Sequence, residues 1–486
     1  MANETVYFYP VRNKKNIVLD KVLVENYAAE GKSLARHDGK VVFIENVVPG
    51  DIVDIRLSKS KKDWAEGYPI HFRSYSAERV EPFCQHFGVC GGCQWQMLPY
   101  TKQLEYKQKQ VWDNLTRIGK ISLPEMRPII GSDEDRWYRN KLEYTFSTKE
   151  YLPKQQFEEA KTAPDNISEQ IAGKGVLGFH ARGFFDKIVN IEKCWLQPEP
   201  TNSIRNAIRA FALKKGYSFY DYREQRGMLR NLLLRICTSG EIMVNLVFGQ
   251  DLKESRKEIM DFILQEFPQI TTLLYTINLK KNDSLNDLEP VTYSGKGYVL
   301  EHLEDFIFKI GPKSFFQTNT KQAEKLYAVT REFAELNGSQ VLYDLYCGTG
   351  SIGIFCSRMA KKVIGVEMIE AAINDAKENA LLNNIEHAAF LSGDVIDICN
   401  DAFFEREGRP DVVITDPPRA GMHQKLINKI LDIEAPLIVY VSCNPATQAR
   451  DLSLLDEKYQ VTKVQPVDMF PHTHHIENVV QLKIRK

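Results

Sequence analysis

Three features are missing from this sequence of 486 residues, and each absence excludes a class of protein. There is no charge imbalance: 63 Lys and Arg against 64 Asp and Glu exclude a uniformly basic nucleic-acid coat protein, but not a local basic face. No apolar run approaches the roughly 18 residues that span a bilayer. Residues 1–15 lack the apolar core of a signal peptide. We therefore expect a cytoplasmic protein without a membrane span.

Length and composition indicate a globular chain of several domains. At roughly 150 residues per domain the chain should hold about three, and we place them at residues 1–80, 81–310 and 311–486. A hydrophobic fraction of 43% with 26% charged residues is typical of folded domains. Nine cysteines without an export signal favour metal binding or catalysis over a disulfide framework. We expect a monomer.

Hydrophobic periodicity predicts a fold for each domain. Short alternating strands around Pro49-Gly50-Asp51 predict a small β-barrel in residues 1–80. Residues 81–310 are predicted to form a mixed, β-rich domain with helices over 101–119, which would pack on the last domain, and over 202–215. Buried-strand runs alternate with helices in residues 311–486, which predicts a doubly wound, Rossmann-like α/β sheet.

Two segments of the central domain differ in composition from their surroundings. The interval Arg205–Arg235 has eight Lys or Arg against two acids, and we expect this basic segment to contact phosphate. Segment 149–173 is polar and charged, and no function is predicted for it.

A glycine-containing loop follows the first predicted strand of the last domain. It has the sequence Asp344-Leu-Tyr-Cys-Gly348-Thr-Gly350, and Glu367 ends the next strand, where an acid can bind ribose hydroxyls. The loop departs from the three-glycine dinucleotide fingerprint and is similar to the loop of S-adenosylmethionine-dependent methyltransferases. Asp394 follows a further strand and is a candidate for adenine binding, although an ordinary turn aspartate fits equally well.

Two further strand ends should open into the same crevice. One carries Asp416-Pro417-Pro418-Arg419, which resembles the Asp-Pro-Pro motif of amino-group methyltransferases. Those enzymes usually have an aromatic ring where this chain has Arg419, which counts against adenine N6 chemistry. The other strand end carries Ser442-Cys443-Asn444-Pro445.

Cys443 is a candidate nucleophile, although a lone strand-end cysteine is most often a small buried hydrophobe. A pyrimidine carbon has no lone pair to offer a methyl group, so C5 of uracil becomes nucleophilic only after a thiolate has added to C6. A base must then remove the C5 proton. Segment Pro471–Glu477 contains three histidines and Glu477 and supplies candidates for this base. The same residues could hold a metal, but their spacing matches no common zinc motif.

Three cysteines lie within ten residues, at Cys84, Cys90 and Cys93, with glycines between the last two. Packing explains such a cluster poorly, and a metal explains it well. Cys194 is the best placed fourth ligand, with His86 as an alternative. Zinc and an iron–sulfur cluster both accept four thiolates, and the spacing does not choose between them.

Taken together, these motifs resemble the RNA uridine-5 methyltransferase family over nearly the whole chain. The matching segments are Cys84–Cys93, Gln317–Asn319, Asp344–Gly350, Asp416–Arg419, Ser442–Pro445 and Pro471–Glu477. Residues 29–35 and 48–51 resemble the TRAM module of that family, an OB-like barrel that binds RNA.

The resemblance implies a chemistry and a role for each motif. It implies S-adenosylmethionine as methyl donor, Cys443 as nucleophile and Glu477 as proton acceptor. It implies a [4Fe-4S] cluster held by Cys84, Cys90, Cys93 and Cys194. The residues expected around the methyl donor are Gln317, Tyr346, Gly348, Gly350, Glu367, Asp394 and Asp416.

The resemblance implies 23S ribosomal RNA as the substrate, while a transfer RNA T-loop uridine stays open. A runner-up is 5-methylcytidine formation, but RNA enzymes of that kind usually have a catalytic cysteine within the motif that here is Asp416–Arg419. A third alternative is an RNA-binding protein without catalysis, against which the presence of Cys443 and Glu477 argues.

Overall fold

The structure is a computed structural model that describes residues 17–153 and 175–485. Most of segment 149–173 therefore lies outside the described residues. No helix in the two described stretches combines the length and apolar character needed to cross a membrane.

The first sheet contains six strands formed by short alternating segments. They are β1 (Val18–Leu23), β2 (Asn26–Tyr27), β3 (Ser33–His37), β4 (Lys40–Ile44), β5 (Ile52–Ser60) and β6 (Trp64–Ser74). The strand order is β1-β5-β6-β4-β3-β2, and only β4 and β6 pair in parallel. In β4 the alternate residues Val42 and Ile44 are buried, as the period of a half-buried strand requires. The tight turn at Gly50 has a φ of +93°.

Helix α1 (Tyr100–Asp113) follows the cysteine segment and ends in one π-helical turn, Asn114–Ile118. Val111 and Leu115 pack into the core of the last sheet, as the apolar pattern predicts. Ile118 is instead 50% exposed, and the helix buries the polar Gln103 and Lys107. Apolar spacing alone therefore described only part of the buried face.

The central sheet has seven strands and two helices. They are β7 (Lys141–Ser147), β8 (Val176–His180), β9 (Ile188–Asn190), α2 (Thr201–Lys215), β10 (Leu229–Ile236), β11 (Ile242–Phe248), α3 (Lys253–Glu266), β12 (Thr272–Ile277) and β13 (Val291–Gly295). The order is β13-β12-β11-β10-β7-β8-β9, mixed because β11 and β12 are parallel. The helix expected over 202–215 is present as α2.

Three of the eight basic residues in Arg205–Arg235 are buried inside the central domain rather than available to phosphate. Arg205 donates to the main-chain oxygen of Glu192 at 2.6 Å. Arg230 pairs with Asp283 at 2.8 Å, and Arg235 donates to Asn140 at 3.3 Å. The expectation of phosphate contact is therefore wrong for these three. Four others are exposed, namely Lys214, Lys215, Arg223 and Arg226.

The last sheet is preceded by the hairpin of β14 (Val299–Leu303) and β15 (Phe306–Ile310). It continues as α4 (Thr320–Phe333), β16 (Val341–Leu345), α5 (Ser351–Cys356), β17 (Lys362–Glu367), α6 (Glu370–Leu382), β18 (Ala388–Ser392), α7 (Val395–Ile398), α8 (Asp401–Glu407), β19 (Val412–Thr415), α9 (Gln424–Ile433), β20 (Leu437–Ser442), α10 (Pro445–Leu455), β21 (Tyr459–Val467) and β22 (Glu477–Ile484). The strand order is β18-β17-β16-β19-β20-β22-β21. Successive residues of β16, Leu342 and Tyr343, enter different cores on the two faces.

The sheet is parallel from β18 to β20, but β22 runs antiparallel to both β20 and β21. The connection 468–476 between β21 and β22 is shorter than the dozen or so residues that a parallel crossover needs. The last two strands therefore form a hairpin, and β22 begins at the end of the sheet where β20 finishes.

Candidate active site

A cleft of about 500 Å³ opens beyond the carboxyl ends of β16, β17 and β18. Tyr346, Glu367 and Asp394, each predicted from a different strand end, line it together with His423 and Lys425. Ligands of open α/β sheets bind at this edge. Gln317, Asp416 and Cys443 do not line this cleft.

The loop after β16 has the left-handed backbone that its glycines allow. Tyr346, Gly348 and Gly350 have φ values of +62°, +53° and +77°. A Cβ at Gly350 would lie 2.9 Å from the ring of Phe390, so only glycine fits there. The main-chain nitrogen of Gly348 donates to the Glu367 carboxylate at 3.3 Å, which ties the loop to the acid at the end of β17.

Asp394 and Gln317 also have partners within the protein. Asp394 caps α7 by accepting a hydrogen bond from the main-chain nitrogen of Ile396 at 2.9 Å. The same residue lines the cleft, so it is both an ordinary turn aspartate and a residue that a ligand in the cleft could contact. Gln317 is half-buried. Its main-chain oxygen accepts from the side chain of Asn140 in the central domain at 2.9 Å.

Cys443 and Glu477 lie side by side at the end of two paired strands. Ser442 of β20 stands opposite Asn478 of β22, and because the pairing is antiparallel the next residue of one strand faces the preceding residue of the other. Asp416 ends the adjacent strand β19. Glu477 is 6% exposed, whereas Cys443 is partly accessible.

The electrostatics of this group favour its neutral forms. Burial raises the pKa of Glu477 well above its usual value, and the nearby Asp416 raises it further. Burial raises the pKa of Asp416 to about 7. Burial and then the two carboxylates raise the pKa of Cys443 to about 12, against an opposing effect of Arg419. At neutral pH Cys443 is therefore a thiol and must lose its proton as it reacts.

The four cysteines of the predicted metal site surround a single cavity. Cys84, Cys90, Cys93 and Cys194 line a space of about 240 Å³, about eight times the roughly 30 Å³ that a water molecule occupies. All four are free thiols. Within residues 17–153 and 175–485, no three His, Cys, Asp or Glu side chains converge on one point that could hold a metal ion. This applies to the three histidines of Pro471–Glu477 as well.

The loop 468–476 also contacts the other two domains, through residues that the sequence analysis missed. Gly31 of the first domain approaches His474 so closely that a Cβ there would lie 2.8 Å from the His474 Cβ. Gln103 and Lys107 of α1 bind the same loop. Thr473 and His475 form part of the wall of the cysteine cavity. No signal in the sequence marks Gln103 and Lys107 as buried, because polar residues on a helix normally face water.

The sheet order and the cleft are those of a doubly wound α/β fold that binds a ligand at its carboxyl edge, and similarity to solved structures assigns it to the S-adenosylmethionine-dependent methyltransferase class. Residues 228–485 match the tRNA (Uracil-5-)-methyltransferase family, and residues 21–70 match the TRAM domain. A protein from Bacteroides thetaiotaomicron named as an uncharacterized RNA methyltransferase is 52% identical, and the match covers 94% of this chain and 100% of that protein. A similar protein from Porphyromonas gingivalis is 47% identical, and the match covers 94% of this chain and 98% of that protein.

Among solved structures, the Pyrococcus abyssi tRNA (uracil-54, C5)-methyltransferase in complex with S-adenosyl-L-homocysteine is similar with a TM-score of 0.72 and 26% identity. The match covers 95% of this chain and 100% of that one. The chain therefore belongs to the tRNA (uracil-5-)-methyltransferase family and is an S-adenosylmethionine-dependent RNA methyltransferase. The resemblance inferred from the motifs, including the TRAM domain, is confirmed.

Two glycines of the TRAM domain form a matched pair for testing its contact with loop 468–476. Gly31 and Gly39 have φ values of +72° and +76°, but a Cβ at Gly39 meets nothing within 4 Å. Gly31→Ala and Gly39→Ala should each lower the free energy of unfolding by about 1–2 kcal/mol, because alanine is strained in a left-handed backbone conformation. Only Gly31→Ala should also displace His474 and lower methyl transfer to RNA. Equal activities of the two variants would contradict a functional contact.

Proposed function

We propose that the protein transfers a methyl group from S-adenosylmethionine to C5 of a uridine in RNA through a covalent adduct on Cys443. The observation that carries this proposal is the placement of Cys443 beside Glu477 at the end of the β20–β22 pair. A thiol next to a buried carboxyl group supplies both a nucleophile for C6 and a base for the C5 proton.

The reaction balances with these two side chains. Cys443 loses its proton to water as its sulfur bonds to C6, and the electron pair of the C5–C6 double bond moves to C5. S-adenosylmethionine supplies the methyl group that C5 accepts. Glu477, which must first have lost its own proton to water, then takes the C5 proton, the C5–C6 double bond re-forms, and the sulfur leaves as a thiolate that regains a proton from water. In sum, a methyl group replaces hydrogen on C5 and one proton is released.

The raised pKa of Glu477 suits this role. A carboxylate with a high pKa binds a proton strongly, so once ionised Glu477 is a stronger base than an ordinary glutamate. Two buried carboxyl groups this close do not ionise independently, so Asp416 and Glu477 titrate as a pair.

We infer that the substrate is 23S ribosomal RNA, as expected for a chain that combines a TRAM domain with a cysteine cluster. A transfer RNA T-loop uridine is the second candidate, favoured by the similarity to the Pyrococcus abyssi enzyme. The TRAM sheet offers an RNA-binding face: the ammonium group of Lys59 lies 4.6 Å from the centre of the Trp64 ring, and Tyr75, 56% exposed, stacks on Phe72.

We also propose that the cysteine cavity holds a [4Fe-4S] cluster. A single zinc ion needs four ligands that converge on one point, whereas the residues that the structure describes include no such group, and these four cysteines line one cavity. A cluster with four iron atoms, each bound by one thiolate, fits that arrangement better. The main-chain nitrogen of Gly92 lies 3.4 Å from the Cys90 sulfur and would donate a hydrogen bond to a bound thiolate.

The proposed function is tested by mapping 5-methyluridine in ribosomal and transfer RNA from a strain that lacks this protein. One or more 5-methyluridines should be absent from 23S ribosomal RNA and should return when purified protein and S-adenosylmethionine are added. Loss from the T-loop of transfer RNA alone would favour the second candidate. Two results would contradict uridine methylation by this protein. One is an unchanged set of 5-methyluridines in both RNAs of the deletion strain, and the other is 5-methylcytidine that forms when the purified protein is added.

Substitution separates the roles of Cys443 and Glu477. Cys443→Ala should keep RNA binding but abolish both adduct and turnover. Glu477→Gln should form the adduct and lower turnover by about 10²- to 10⁴-fold, the usual contribution of a general base. Adduct is measured by gel shift with RNA, and turnover by methyl transfer. Cys399→Ala, a buried cysteine of the core, is the control that should stay active. Normal turnover in either site variant would overturn its role.

The cluster is tested by metal analysis of protein purified without oxygen. Wild-type protein should contain iron and acid-labile sulfide in equal amounts and absorb visible light. Serine in place of Cys84, Cys90, Cys93 or Cys194 should reduce all three signals, while Cys237→Ser, a buried cysteine outside the cavity, should not. Stoichiometric zinc without sulfide would contradict the assignment.

A further inference from the structure

The loop 468–476, which leads from β21 to the first residue of β22, Glu477, has an unusual backbone. His472 has a φ of +64°, a left-handed conformation that is rare for residues other than glycine. Asp468 is fully buried and accepts a hydrogen bond from the main-chain nitrogen of Phe470 at 3.0 Å. Such a conformation persists only where surrounding groups hold it.

One face of α1 supplies polar groups that hold this loop. Lys107 donates to Asp468 at 2.7 Å and to the main-chain oxygen of Phe470 at 3.1 Å. Gln103 accepts from the main-chain nitrogen of His472 at 2.8 Å, and its amide nitrogen lies 3.1 Å from the His472 ring nitrogen Nδ1. Tyr100 donates to Asp468 at 2.9 Å. Residues 100, 103 and 107 share one face of a helix.

Stability alone does not explain the Lys107–Asp468 pair. Both side chains are 0% exposed. Two charges removed from water lose hydration energy, and their mutual attraction often does no more than offset that loss. A pair of apolar side chains of similar size would serve the core equally well. What the ion pair adds is a defined geometry for the loop.

We propose that Gln103 and Lys107 are positioning residues that hold loop 468–476, and through it Glu477, in the place from which Glu477 removes the C5 proton. This inference rests on the proposed function. Because Glu477 acts after the sulfur–C6 bond has formed, a displaced loop should slow completion of the reaction more than formation of the adduct.

Two RNAs separate these stages. RNA that contains 5-fluorouridine has no C5 proton, so its adduct reports only the steps before Glu477 acts. Ordinary RNA reports the whole reaction through methyl transfer. The principal variant is Lys107→Met/Asp468→Asn, which removes both charges and leaves neither buried alone. Lys109→Met is the matched control, since Lys109 lies on the same helix in an exposed pair with Asp113. Gln103→Met is a second, independent variant.

The double variant should turn over ordinary RNA about 10- to 100-fold more slowly, with adduct formation on 5-fluorouridine RNA and the KM for S-adenosylmethionine close to wild type. Gln103→Met should likewise slow turnover of ordinary RNA without slowing adduct formation, and Lys109→Met should match wild type in both measurements. If the double variant does not fold, Gln103→Met alone decides. Equal losses of adduct and turnover in the folded variant, or no loss of either, would overturn the inference.

The same experiment separates this inference from the proposed function. If wild-type protein forms no adduct with 5-fluorouridine RNA, the proposed covalent function fails and the inference fails with it. If wild type forms the adduct and the variants lack the expected difference between the two RNAs, only the positioning role fails.

Discussion

The antiparallel pairing of β22 with β20 is the constraint on which the rest of the site depends. A connection of residues 468–476 is too short for a crossover, so β22 starts where β20 ends and Glu477 comes to lie beside Cys443. Asp416 at the end of β19 joins them, and burial raises the pKa of all three groups. Burial thus favours the neutral forms of a thiol and two carboxyl groups, and the stability of the fold decreases as pH rises through the carboxyl pKa values.

The connection that creates this pairing also contacts the TRAM domain, helix α1 and the wall of the cysteine cavity. The TRAM turn at Gly31 contacts His474, α1 binds Asp468 and His472, and Thr473 and His475 border the cysteine cavity. The main-chain nitrogens of Gln94 and Trp95, directly after Cys93, both donate to the main-chain oxygen of His472. The TRAM domain, the cysteine cavity and Glu477 are therefore linked through one short segment.

The sequence predicted those parts of the molecule that local chemistry determines. The alternation of buried strands and helices in residues 311–486 and the turn at Gly350 follow from periodicity and from the need for glycine at positive φ. Gln103 and Lys107 could not be predicted in this way, because a polar residue on a helix normally faces water and their partners include the distant Asp468 and His472. The same reason explains Arg205, whose partners include Tyr144 and Glu192 on other segments of the central domain. The domain limits at 80 and 310, and the roles of the site residues, stay predictions.

The central claim is that the sulfur of Cys443 bonds to a uracil ring that Glu477 later releases. It is tested most directly by incubating wild-type protein and S-adenosylmethionine with RNA that contains 5-fluorouridine, digesting the complex and sequencing the nucleotide-bearing peptide by mass spectrometry. The account predicts a single modified peptide with methylated 5-fluorouridine attached to Cys443. Attachment to any other of the nine cysteines, or methylated RNA without any bound peptide, would contradict it.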